Sequence, residues 1–172
     1  MSSARKTRTP GGAAGFSLVE LMVVVMIVLV ITAIAVPSLL HARMKANEAA
    51  AVSSMKTIQT AQTLYSVLYP EVGYSPNLAW LGPNGSNCEN TGPHNSCLIH
   101  DEALLSGLKS GYVFVIAGDG KTPSADYTLT ANPISAGISG RCGFSSEQAG
   151  EIGIVPQSGS GHFTVGSSGC GE

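Results

Sequence analysis

From Leu18 to Val36 every position is apolar except Glu20 and Thr32. At 1.5 Å per residue, about 20 such residues in a helix cross a hydrocarbon core of about 30 Å, so the pattern predicts a membrane-spanning helix. The helical signal continues beyond it. Ser38 to Tyr69 contains neither Gly nor Pro and is rich in Ala, which favours helix. Ala51, Met55, Ile58, Ala61, Tyr65 and Leu68 recur at three- and four-residue intervals and predict one buried face. Asn47, Glu48, Ser54 and Lys56 fall largely off it. Pro70 ends the pattern by pushing Tyr69 out of the helical region. One long helix, bent at Pro37 where a backbone donor is missing, is favoured over two separate helices.

Residues 70–109 are punctuated by Pro, Gly and Asn, the marks of turns. Asp101 is placed to cap a short helix through about Leu108, with Ile99 as a hydrophobic staple. After Lys109 the period changes to two. Tyr112, Phe114 and Ile116 share one face, and Tyr127, Leu129 and Ala131 alternate with Thr128 and Thr130. The segments RCGFSS, GEIGIVP and HFTVG follow between Gly-rich turns, predicting a meander of about four antiparallel strands. The expected fold class is α+β: a long N-terminal helix whose amphipathic half, through Met55, Ile58, Tyr65 and Leu68, packs on a small antiparallel sheet.

Composition narrows the function. The 172 residues carry a net charge of −2 with only 12% charged side chains, so no clustered basic footprint for nucleic acid is present. Arg5, Lys6 and Arg8 precede the apolar run as an export signal would arrange them, and keep the N-terminus cytoplasmic. The remainder is then extracytoplasmic. An ordinary secretory signal cut near Ala33-Ile34-Ala35 is the alternative, but the apolar run exceeds a usual signal core. Glu20 remains to be explained. A carboxylate at the hydrocarbon centre costs about 2.5–3.5 kcal/mol on insertion scales, so a function is its default reading.

Gly15, Phe16 and Glu20, in GFSLVE ahead of the apolar helix, resemble the N-terminal signature of type IV prepilins. Pro37 falls where pilins commonly carry a helix-breaking proline, and the short basic leader fits too. The resemblance covers about the first 40 residues, and pilins, secretion pseudopilins and competence pseudopilins share it. It implies that a prepilin peptidase cuts between Gly15 and Phe16, methylates Phe16, and leaves Glu20 as the fifth mature residue. It further implies that Glu20 of one subunit pairs with the terminal amine of a neighbour and sets axial register. The bland alternative is that Glu20 favours only its own helix N-terminus. The implied organisation is a leader at 1–15, a membrane and filament-core helix at 16–37, an amphipathic head helix at 38–69, a loop-rich connection at 70–109, and a sheet with a disulfide-closed C-terminal region at 110–172.

The four cysteines all follow the apolar run, and in an oxidising compartment an even count reads as two disulfides, with three connectivities open. The favoured pairs are Cys88–Cys97 and Cys142–Cys170, the second resembling the closed C-terminal region of many pilins. Cys88, His94, Cys97 and His100 could hold zinc, but their spacing matches no familiar finger and export favours oxidised thiols. Asp119, Asp126, Glu147, Glu151 and Glu172 could supply oxygens to calcium, but lack EF-hand order and read as surface solvation. His41 and His162 have no nucleophile motif nearby, and the Gly-rich stretches lack a Walker lysine. Tyr65, Tyr69, Tyr74 and Trp80 read as packing residues. The chain is therefore expected to be no enzyme and to hold no cofactor or metal.

The resemblance implies a structural subunit of a type IV pilus, moving from the inner membrane to an extracellular helical filament of its own copies. Its other partners would be the prepilin peptidase and the inner-membrane assembly platform. A pseudopilin of a type II secretion system, or a minor pilin or tip adhesin, is the alternative.

Overall fold

The computed structural model describes residues 15–83 and 88–156. Chain contacts divide it into two compact units, Met1–Leu39 and Leu40–Glu172. Helix α1 runs Leu18–Leu68 without interruption through Pro37, as one helix rather than two. In the second unit, hereafter the head, a single 3₁₀ turn at Leu78–Leu81 and a short helix α2 at Glu102–Leu105 lead to five strands. These are β1 (Leu108–Lys109), β2 (Tyr112–Gly118), β3 (Tyr127–Pro133), β4 (Cys142–Glu147) and β5 (Ile152–Pro156). They pair antiparallel in sequence order. The architecture is α+β, compatible with a pilin-like fold, with the amphipathic helix packed on the sheet.

The core is the meeting of two periods. Ala51, Met55, Ile58, Ala61 and Tyr65 of α1 are buried with Tyr112, Phe114 and Ile116 of β2 and Tyr127, Leu129 and Ala131 of β3. Two positions on the helix depart from the expected face. Leu68 is 57% exposed. Tyr69 instead continues the row four residues after Tyr65, with the two rings 4.9 Å apart. Ser54 is buried, because the row it shares with Ile58, Ala61 and Gln62 also faces the head interior.

Locally encoded features emerge as the residues dictate. Asp101 caps α2 by accepting from Leu104 N–H at 3.1 Å, and Ile99 is buried before it. The helix stops at Leu105, three residues short of expectation. Gly107 takes φ 78°, its carbonyl accepts from Phe114 N–H at 2.8 Å, and Leu108–Lys109 become β1 instead. The sheet thus begins before residue 110. Residues 162–166, expected as a further strand, lie outside the described residues. Gly73 is needed at φ 79° against Ser124, whose carbonyl oxygen would lie 2.0 Å from an added Cβ.

Three tyrosines lock the core and give it a pH dependence. Burial is the main cause that pushes the phenols of Tyr65, Tyr112 and Tyr127 up to about 12. Two of the hydroxyls are placed: Tyr65 donates to Pro93 O at 2.6 Å, and Tyr112 to Cys142 O at 2.9 Å. Unfolded tyrosine ionises near pH 10, so these groups contribute stability that is complete below pH 10 and is lost as pH rises through about 12. Head stability should therefore be insensitive to these phenols up to pH 10 and fall steeply above it. Urea midpoints across that range, with phenolate absorbance as monitor, test this; phenolate formation at pH 10 by more than two of the five tyrosines in the folded head would refute it.

Candidate functional site

Gly15, Phe16 and Ser17 precede the helix, and α1 opens at Leu18 with Leu21 N–H donating to Ser17 O at 3.2 Å. A Cβ at Gly15 would meet nothing within 4 Å, and Phe16 is 82% exposed, so this junction is sterically open. Glu20 lies in the first turn, where a carboxylate is favoured by the helix dipole. Residues 1–14, including Arg5, Lys6 and Arg8, lie outside the described residues.

Every residue from 15 to 43 is exposed. The segment's most apolar 18-residue window has a mean hydropathy of 3.0 and no buried share. This is a helix long and apolar enough to cross a membrane, near the N-terminus. Its internal hydroxyl is already satisfied: Thr32 Oγ1 donates to the carbonyls of Val28 and Leu29, each at 3.0 Å. Pro37 leaves the Ala33 carbonyl without its usual donor, the local weakness expected there.

In the head, Cys88 and Cys97 form a disulfide with Cα atoms 5.8 Å apart. Cys142 is buried at 1% exposure and carries no free thiol; Cys170, its expected partner, lies outside the described residues. One ligand atom each from Cys88, Cys97 and His100 lies within 4.8 Å of the others, but sulfurs bonded to each other offer no thiolate to a metal. His94 is not in that group; its ring stacks on Trp80 at 4.0 Å. Of the acidic candidates, Asp119 and Asp126 are likewise occupied, while Glu147 and Glu151 flank the β4–β5 turn as exposed surface residues. The Lys121 N–H, the Ser124 hydroxyl and the Ala125 N–H all donate to Asp119 and hold its carboxyl below the usual range, while Asp126 accepts from Tyr127 N–H. Lys109, at 2.6 Å, and the Leu104 N–H do the same for Asp101. His41 Nδ1 is 3.2 Å from a guanidinium nitrogen of Arg141, and His162 and Glu172 lie outside the described residues.

A cavity of ≈ 390 Å³ is lined by Tyr74, Trp80, His94, Lys121 and Thr122 among others. The Ser124 hydroxyl in its lining is spent on the local turn, where it donates to the Asp119 carboxylate at 2.9 Å and to Asp126 O at 3.0 Å. Sequence reasoning missed the Trp80–His94 stack and the Gln62 clamp, in which Gln62 both donates to Ser75 O and accepts from Ser75 N–H at 2.8 Å. The available signal for the clamp was an amide one turn from Ile58 on the helical face of Ala61 and Tyr65.

The Cys88–Cys97 bridge closes a loop of sequence separation 9, for which chain entropy gives roughly 2.5–3 kcal/mol. Replacing both cysteines with Ser should lower the head's unfolding free energy by about that amount. Much of the loop should remain docked, because Leu98 and Ile99 N–H both donate to Leu81 O at 2.8 Å. Urea unfolding under non-reducing conditions checks this, and an unchanged midpoint would count against it.

Comparisons with family models, curated proteins and solved structures gave no match.

Proposed function

We propose that this chain is a type IV pilin-like structural subunit, cut after Gly15, methylated at Phe16 and polymerised through its N-terminal helix into an extracellular filament. The observation that carries the reading is a wholly exposed apolar helix with one carboxylate in its first turn, continuous with a helix that packs on an antiparallel sheet. An exposed all-round apolar helix needs either lipid or other helices. It would have lipid before assembly and its own copies afterwards. Glu20 would then neutralise the α-amine freed at Phe16 of a neighbour, an attraction far stronger in low dielectric than in water. The head would be structural rather than catalytic, and the partners would be the prepilin peptidase, the assembly platform and further copies. Intact-mass measurement of fibres sheared from cells tests the assignment: the chain should begin at methylated Phe16. Fibres whose subunits retain residues 1–15 would refute it, as would a cell surface bearing no fibre of this chain.

A further inference from the structure

Among the described residues, exposed apolar patches lie at both ends of the head. The first is at the C-terminal end of α1, where Leu64, Val67 and Leu68 share one helical face at 50%, 74% and 57% exposure. The second is on the β3–β4 connection, where Ile134 and Ile138 are 58% and 76% exposed. That connection is tied to the other end of the head helix. Asn47 Nδ2 donates to Ser139 O at 2.9 Å, and Arg141 N–H donates to Glu48 Oε1 at 2.8 Å. From residue 47 to residue 67 the helix advances by about 30 Å. The patches therefore lie at opposite ends of the head, too far apart to cover each other within one chain.

Charge follows the same division. At the helix end tied to the Ile134–Ile138 connection, Arg43 and Lys45 are exposed within about a turn of Asn47, and Arg141 lies next to His41; the one acid there, Glu48, accepts from Arg141 N–H. The Val67 end has exposed Glu71, no basic residue in the last helical turn, and the partial negative charge of the terminal carbonyls. Lys121, near that end through the Ser124–Val72 hydrogen bond, is paired with Asp119 at 3.9 Å.

We propose that the Leu64–Val67–Leu68 patch of one copy docks on the Ile134–Ile138 patch of a second copy, head to tail. A two-fold dimer would place like charge against like and leave one patch open on each copy. The head-to-tail contact covers both patches in every interior copy, opposes unlike charges, and repeats without closing. This contact rests on the filament reading and adds the surface by which heads stack along the fibre.

The test uses the full chain in cells. Val67→Cys combined with Ile138→Cys, in sheared and mildly oxidised fibres, should give a ladder of cross-linked multimers on non-reducing gels, and neither single variant should. Independently, Val67→Asp should cut fibre yield on the order of tenfold at a normal membrane pool, by placing a charge in an apolar contact. Adding Ile138→Lys should restore most of it. Fibres without a ladder, a wild-type yield from Val67→Asp, or dimers from Val67→Cys alone would overturn the head-to-tail contact while leaving the filament reading intact. Wild-type cells without fibres would overturn both.

Discussion

Cells carrying Glu20→Ala are expected to hold a normal membrane pool of the subunit and to display few or no fibres. The substitution removes a carboxylate from the start of an apolar helix, and Ala improves both membrane insertion and helix propensity. Nothing in the free subunit suffers much: Glu20 is exposed, and its dipole interaction at the helix start contributes a few tenths to about 1 kcal/mol. Were that its whole role, fibres would form normally. In the proposed filament each added subunit instead buries an α-amine without its partner, a penalty of roughly 3–5 kcal/mol by analogy with broken buried ion pairs. Elongation repeats the penalty at every step, so the effect is close to complete. Sheared-fibre yield is measured against membrane-pool level for the two alleles. A wild-type yield from Glu20→Ala would remove Glu20 from assembly.

The largest effect on the head itself is expected at Gln62. This side chain is fully buried, and its amide satisfies both backbone groups of Ser75, itself buried, in two hydrogen bonds of 2.8 Å. Gln62→Leu keeps the volume and leaves one donor and one acceptor unpaired in the interior. At about 1–3 kcal/mol each, the loss should total roughly 3–5 kcal/mol, a large share of a domain's usual 5–15 kcal/mol. The melting temperature of the full chain in detergent should fall by roughly 10–20 °C. Gln62→Glu separates the two bonds. Its carboxylate still accepts from Ser75 N–H but repels Ser75 O, and protonation restores a donor. That variant should therefore gain stability relative to wild type as pH falls through its raised folded pKa. A Gln62→Leu chain within 1 kcal/mol of wild type would show that Ser75 finds other partners.

What could be read from residue order alone was whatever near neighbours determine. The apolar run from Leu18 to Val36 predicts its helix because nearly every turn is hydrophobic, whatever else the chain does. The Asp101 cap and the alternation in β2 and β3 are also local, and the structure reproduces them. The resemblance carried by Gly15, Phe16 and Glu20 is wholly sequential; the structure adds only that the segment around Gly15 is open and its helix exposed. Tertiary structure decided which faces were completed and by whom. Tyr69 rather than Leu68 extends the buried row, and Gln62 reaches Ser75 across 13 positions. Asn47 meets Ser139 across 92, which sets the two apolar patches at opposite ends of the head. Periodicity records that a side chain will be buried or bonded. Its partner comes from a distant segment, and only the folded chain brings the two together.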